Sequence, residues 1–290
     1  MRLPAPAKIN LYLKVLGRRP DGYHELDSVM ARLSLADRVR LVLEPGSGPD
    51  RLLVDNRLPT GLPPDFDGPG NLALRAVARF RERRGWPQGG VLIELEKNIP
   101  LGAGLGGGSS DGAAVLKLLN RAAPEPLAAG ELAALGLSLG ADLPFFLQDR
   151  PLARCGGVGE KTGEPPAHFQ AWAGREIVLL NPGLGLSTAA VFRQLGLEPG
   201  APANLGLTKQ AVNNNLGPLS TPEPGRNDLL EAAAALAPAL AGLAEAIEAL
   251  RPAAWGMSGS GSTFWLYDPQ RPAETLAAPG LWIRRTRLAR

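Results

Sequence analysis

The sequence predicts an α+β protein folded in two lobes, and three observations lead there. Stretches with the two-residue alternation of a half-buried strand and stretches with the apolar spacing of a helix both recur along the chain. At 290 residues the chain exceeds what one core comfortably fills, since single cores stop growing at about 250 to 300 residues. A content of 44% hydrophobic and 20% charged residues is that of a folded protein, and the 36 glycines are largely gathered in compact loops. The first lobe runs over residues 1–155 and the second over 156–290.

Ile9 to Leu16 alternates as a strand, and Arg18-Arg19-Pro20-Asp21-Gly22 supplies the turn into a second strand. Val39 to Leu43 also reads as strand, whereas Ser47 to Gly70, rich in Pro, Gly and Asp, reads as a connection with little regular structure. Asn71 is a good N-cap for a helix that carries Ala73, Ala76, Val77 and Phe80 on one face and stops at Gly85. Val91 to Glu96 is a strand, a glycine-rich loop follows, and a helix starting at Ser109 runs to Asn120 on Ala113, Val115, Leu116 and Leu119. Glu131 to Leu139 reads as helix and Ile177 to Leu180 as strand. Asp228 to Leu250 is an Ala-rich helix or helix pair, with Pro238 and Gly242 as interruptions. Thr263 to Tyr267 is a strand leaving another Gly/Ser loop, and Gly196 to Gly225 has no useful period.

The charge balance of 31 basic against 28 acidic side chains is too even to imply a nucleic-acid or membrane partner, so any attraction for an anion has to be local. A single Cys155 excludes an internal disulfide and reads as structural, and His24 and His168 are too few for a His/Cys metal cluster. Lys8 and Asn10 interrupt the amino terminus before a signal-like apolar run develops. The longest apolar stretch, Ala232 to Ala244, contains Pro238 and falls short of a membrane span. These features lead us to expect a soluble, unexported protein of the reducing cytoplasm.

The loop Pro100-Leu101-Gly102-Ala103-Gly104-Leu105-Gly106-Gly107-Gly108-Ser109-Ser110 has the composition of an anion cradle. Glycines let the backbone approach a phosphate closely and point successive N–H groups into one concavity. The helix that follows aims its positive end at the same place, and the hydroxyls of Ser109 and Ser110 add donors or a magnesium ligand. Gly102, Gly104 and Gly107 also satisfy the G-x-G-x-x-G dinucleotide fingerprint, which keeps an oxidoreductase open. That fingerprint needs an acid about 20 residues on at a strand end. Glu125 lies near that distance but sits in Arg121-Ala-Ala-Pro-Glu-Pro126, which is no strand. The Walker A form fails as well, because no Gly-Lys-Ser/Thr closes the loop.

This loop resembles the phosphate-binding motif of the GHMP kinases, the superfamily of galactokinase, homoserine kinase and mevalonate kinase. Pro6-Ala-Lys-Ile-Asn-Leu-Tyr-Leu13 is similar to the superfamily's first motif and Gly256-Met-Ser-Gly-Ser-Gly-Ser-Thr263 to its third, in the expected order. The resemblance implies a ribosomal S5 domain 2-like amino-terminal lobe and a ferredoxin-like carboxy-terminal lobe, with ATP and Mg2+ as cofactors. It assigns ATP to the loop residues just named, a catalytic carboxylate to Asp142, and to Lys8 the ammonium that holds this carboxylate ionised.

Within the superfamily, Asp21-Gly-Tyr-His-Glu-Leu26, Leu139-Gly-Ala-Asp-Leu-Pro-Phe-Phe146, Asn181-Pro182 and Asn227-Asp228-Leu229 resemble the branch that phosphorylates a cytidine-diphosphate-linked methylerythritol in non-mevalonate isoprenoid synthesis. That branch implies Tyr23 stacking on cytosine and His24 hydrogen-bonding its edge. It also implies Asn10 and Thr188 as further substrate contacts, although Thr188 beside Ser187 equally suits a helix start. Lys97, Asn98 and Asn71 are weaker candidates for the adenine side. A GHMP kinase for another small alcohol is the near alternative.

Overall fold

The computed structural model describes residues 1–201, 222–268 and 280–290. The chain folds into two compact units that interleave along the sequence. The first comprises Met1–Ala7, Leu35–Leu101 and Gly106–Arg150, and the second comprises Lys8–Ser34, Gly102–Leu105 and Pro151–Arg290. Two long strands, β1 (Arg2–Arg18) and β2 (His24–Leu43), pair with each other and contribute residues to both units.

In the first unit β4 (Val91–Lys97) is central to its part of the sheet. It pairs antiparallel with residues 38–43 of β2 on one side and parallel with β3 (Arg51–Asn56) on the other. β3 corrects the expectation of little regular structure in 47–70. Its burial buries Leu52 alone in an otherwise half-exposed or exposed strand, so alternation signals it only weakly. Helices α1 (Leu72–Arg84), α2 (Gly107–Ala122), α3 (Ala129–Leu139) and α4 (Leu143–Leu147) complete the unit.

The boundaries of α1 follow from its caps. Asn71 Oδ1 accepts from the Ala73 amide at 2.9 Å, and Gly85 ends the helix at φ 64°, in the left-handed region that glycine enters without strain. Ala73, Ala76, Val77 and Phe80 form its buried face and pack with Val39, Leu41, Ile93 and Leu95 of the strands and with Val115 and Leu119 of α2. This is the 3.6-residue period meeting the two-residue period in one core.

The second unit holds an antiparallel sheet in the order β10-β7-β9-β8, made of β7 (Glu176–Asn181), β8 (Ala254–Met257), β9 (Phe264–Tyr267) and β10 (Trp282–Arg287). The N-terminal part of β2 pairs antiparallel with β5 (Leu152–Gly157), which pairs with β6 (Lys161–Gly163). Helices α5 (Ala167–Gln170), α6 (Thr188–Gln194), α7 (Leu230–Leu236) and α8 (Ala239–Ala249) accompany them. Leu13, Val15, Leu180, Val191, Leu240, Ile247 and Phe264 share its core.

Pro238 does separate α7 from α8, whereas Gly242 lies inside α8 and interrupts nothing. Cys155 is fully buried on β5, as a structural thiol would be. No helix among the described residues is long and apolar enough to cross a membrane. Most of the featureless stretch 196–225 lies outside the described residues.

Candidate active site

The glycine-rich loop is built in two parts. In the first unit, Gly106 at φ 68° is the N-cap of α2, which begins at Gly107 rather than at Ser109. Close packing explains the early start despite the poor helix propensity of glycine. A Cβ on Gly107 would stand 2.9 Å from Lys97 Nζ and 3.0 Å from Ile99 Cγ2, so only glycine lets the first turn settle there. The first turn therefore presents the amides of 107–109 in one direction, while the Ser110 amide closes the turn on Gly106 O at 2.9 Å. Ser110 is 1% exposed, and its Oγ has no hydrogen-bond partner among the described residues. Such an orphaned hydroxyl at a helix start is an open position for a ligand oxygen or a cation.

Behind this turn lies a buried ionic cluster. Lys97 Nζ donates to Asp37 Oδ2 and, at 3.0 Å, to Asp111 Oδ2. Asp37 Oδ1 also accepts from the amides of Asn98 and Ile99, at 2.5 and 2.8 Å. The ammonium thus ties the chain entering the loop to the helix leaving it. Burial and the neighbouring Asp37 push the Asp111 carboxyl up to about 8 against the pull of Lys97, and Asp111 Oδ1 has no hydrogen-bond partner among the described residues. Lys97 therefore does not serve as an adenine-facing side chain. Asn98 Nδ2 is likewise engaged with Ala36 O and Glu96, and Asn71 caps α1.

In the second unit, residues 102–105 pack on the glycine-rich segment that follows β8. Ser258 Oγ donates to Gly104 O at 2.9 Å, and the Thr263 amide donates to Ala103 O at 3.2 Å. Gly104 sits at φ +74°, and a Cβ there would meet Ser258 O at 2.1 Å. Asn227 Nδ2 bridges Met257 O and Gly259 O, at 2.7 and 2.8 Å, and Asn181 Nδ2 reaches Thr263 Oγ1 at 2.8 Å. Sequence blocks that carried no assigned task thus hold the third motif in shape.

Lys8 and Asn10 lie on β1 in the same unit, 3% and 2% exposed. Lys8 Nζ donates to Asn10 Oδ1 at 2.7 Å, and the Lys8 amide donates to Leu105 O at 2.9 Å. A Cβ on Gly259 would stand 3.3 Å from Lys8 Nζ, so the third motif passes close to this ammonium. Asn10 Nδ2 donates to Ser28 Oγ at 2.7 Å, and the Asn10 amide donates to Ser258 Oγ at 3.2 Å. Ser28 and Ser258 were not singled out from sequence. Their task depends on pairings 18 and 248 residues apart, which no local pattern announces.

The remaining candidates have distinct settings. Tyr23 is 63% exposed at the β1–β2 turn, open to stack on a ring. His24 stacks on Phe192 with centroids 4.7 Å apart, and its Nε2 has no partner among the described residues. Burial and the nearby Arg18 hold the imidazole below its ordinary value, so at neutral pH it keeps one nitrogen as donor and one as acceptor. Thr188 is the first residue of α6 behind the N-cap Ser187, and its Oγ1 lies 2.9 Å from Ser260 Oγ of the third motif. Asp142, half-buried in the first unit, occupies the N-cap position of α4, yet its side chain makes no cap bond. Glu125 lies in an exposed turn paired with Arg84, so the acid required by a dinucleotide fingerprint is missing.

A mixed α+β fold in which a glycine-rich loop runs into the start of a helix, with a second glycine-rich segment bonded to residues 103 and 104 of that loop, is the arrangement of a small-molecule kinase of the GHMP type. The family described as the GHMP kinases N terminal domain matches residues 71–150. The chain is 37% identical over 96% of its length to the 4-diphosphocytidyl-2-C-methyl-D-erythritol kinase of Geobacter sp. (strain M21), covering 93% of that protein. It is 46% identical, over 67% of the chain and 64% of the relative, to the kinase of the same name from Symbiobacterium thermophilum. A crystal structure of 4-(cytidine 5'-diphospho)-2C-methyl-D-erythritol kinase superposes with a TM-score of 0.71 at 36% identity, covering 99% of both chains. Methanococcus jannaschii mevalonate kinase shares the fold, with a TM-score of 0.64 at 13% identity over 100% of this chain and 98% of that one. The chain belongs to the 4-diphosphocytidyl-2-C-methyl-D-erythritol kinase family.

Proposed function

We propose that this protein transfers the γ-phosphoryl group of ATP to the 2-hydroxyl of 4-diphosphocytidyl-2-C-methyl-D-erythritol, giving the 2-phosphate and ADP, a step of non-mevalonate isoprenoid precursor synthesis. The observation that carries this reading is 37% identity to a kinase of that name along 96% of the chain.

In this reading the loop Pro100 to Ser110 cradles the ATP phosphates with backbone N–H groups and the hydroxyls of Ser109 and Ser110. Asp142 accepts the proton of the 2-hydroxyl as its oxygen attacks the γ-phosphorus and the bond to the ADP oxygen breaks. Lys8 supplies positive charge where negative charge develops. Tyr23 stacks on cytosine and His24, neutral and with a ring nitrogen unengaged, hydrogen-bonds its edge. Asn10 and Thr188 contribute polar contacts on the acceptor side. A division into two lobes near residue 155 is part of the same proposal.

Magnesium suits this donor set. Mg2+ enters nucleotide sites largely on phosphate and water oxygens and needs only one or two from the protein. The orphaned Ser110 hydroxyl is such an oxygen. When bound, the ion would neutralise charge on the phosphates. Among the described residues no cluster of three or more His, Cys, Asp or Glu could hold a metal by itself.

The test is ADP release measured with the cytidine-bearing alcohol, with mevalonate and with homoserine. Turnover only with the first is expected. Turnover with another alcohol and none with the first would replace the assignment by a different kinase of the same superfamily.

A further inference from the structure

The ammonium of Lys8 is held through a relay that the motifs do not assign. Lys8 Nζ donates to Asn10 Oδ1, Asn10 Nδ2 donates to Ser28 Oγ, and Ser28 Oγ donates to the backbone carbonyl of Tyr12 at 2.6 Å. Lys8, Asn10 and Ser28 are each at most 3% exposed, so water cannot substitute for a missing partner.

The relay has only one consistent direction. A serine hydroxyl carries one proton, and a carbonyl oxygen only accepts. With its proton on Tyr12 O, Ser28 Oγ can only accept from Asn10. The Asn10 amide must then turn its NH2 group to Ser28, which leaves its carbonyl oxygen facing Lys8. Rotated by half a turn, the same amide would face the ammonium with its own N–H groups, an arrangement that repels. We propose that Ser28 is a positioning residue for phosphoryl transfer, which fixes the Asn10 amide and through it the place of the Lys8 ammonium. This rests on the role of Lys8 given above.

The consequence is specific to the hydroxyl. Ser28 lies on β2, which pairs with β1, so a threonine suits the strand and can offer the same oxygen. Valine has threonine's shape without the oxygen, and alanine lacks both.

The experiment measures kcat, both KM values and the thermal midpoint for wild type, Ser28→Ala, Ser28→Val, Ser28→Thr, Lys8→Met and the double variant Lys8→Met/Ser28→Ala. Loss of kcat by about tenfold or more is expected for Ser28→Ala and Ser28→Val, the scale of one misplaced charge-assisted interaction, with both KM values within about twofold. Ser28→Thr should recover kcat to within about threefold of wild type. In the Lys8→Met background Ser28→Ala should cost nothing further, because the relay then ends on no ammonium.

Wild-type kcat in Ser28→Ala or Ser28→Val, no recovery with Thr, or additive losses in the double variant would overturn the proposal. Loss of the fold in both Ser28→Ala and Ser28→Val would also overturn it, by marking Ser28 as structural. Failure of the underlying reading looks different: there, wild type does not turn over, or Lys8→Met turns over at the wild-type rate.

Discussion

A methyl group on Gly104 would stand 2.1 Å from Ser258 O, at a residue whose φ of +74° already disfavours any side chain. Gly104→Ala must therefore displace either the loop or the third motif. We expect ATP to raise the thermal midpoint of the wild type by several degrees and that of this variant by far less, which a thermal shift titration reads directly. His24 carries a different expectation. Because its imidazole is neutral and stacked on Phe192, His24→Ala should raise KM for the cytidine-bearing substrate by about tenfold while leaving KM for ATP near wild type, in steady-state kinetics. At this scale the sequence revealed residue types more readily than residue partners. Asp142 stood out only through the family's motifs, since an aspartate before Leu143-Pro144 is unremarkable alone, and those motifs also gave Lys8 its role, although an early lysine in a lysine-poor chain already drew notice. Ser28 could not be found that way, because the task proposed for it depends on its one proton being committed to Tyr12 O, which leaves it only as an acceptor for Asn10.

Elements were readable where one chemical signal sufficed. Asn71 and Gly85 bracket α1 because capping is local, whereas β3 escaped because its partner β4 lies 41 residues further on. Gly242 misled because it has no atom within 4 Å of its would-be Cβ, and a cost of about 1 kcal/mol for glycine in a helix is outweighed by the burial of Leu240 and Ile247 on either side. The link between β4 and α2 through Lys97 gives a testable contrast. Lys97→Met strips the buried Asp37 carboxylate of its cation and Asp111 of its hydrogen-bond donor, and should destabilise the protein by about 3 to 5 kcal/mol in denaturant melts. Asp111→Asn, which mimics a protonated acid and still accepts from Lys97, should cost about 1 kcal/mol or less. The pH dependence follows from the same carboxyl. Its folded value near 8 lies above its ordinary 3.8, so the folded state holds the proton more tightly, and this contribution is full below pH about 4 and lost as pH rises through about 8. Between pH 5 and 8.5 the wild-type denaturation midpoint should fall more steeply than that of Asp111→Asn. Parallel profiles would show that Asp111 does not carry the extra proton.

For the whole molecule, a single boundary near residue 155 is a simpler division than the compact units, which exchange chain at residues 7–8, 34–35, 101–102, 105–106 and 150–151. Periodicity cannot reveal this, because β1 and β2 are uninterrupted strands that serve both units. The class of protein was nonetheless recognisable, since its three motifs, two of them glycine-rich, keep their order along the chain. What the structure added is how they are held: the third motif bonded to Gly104, Lys8 fixed by Asn10, and the start of α2 seated over a buried ion cluster. The most direct test of phosphoryl transfer to an alcohol is to follow γ-labelled ATP with 4-diphosphocytidyl-2-C-methyl-D-erythritol and locate the phosphate by phosphorus NMR, for wild type and Asp142→Asn. One phosphate on the 2-hydroxyl is expected for each ADP formed, with a rate lower by about 100-fold or more in the folded variant. Label appearing only as inorganic phosphate, or an Asp142→Asn enzyme as fast as wild type, would contradict this expectation.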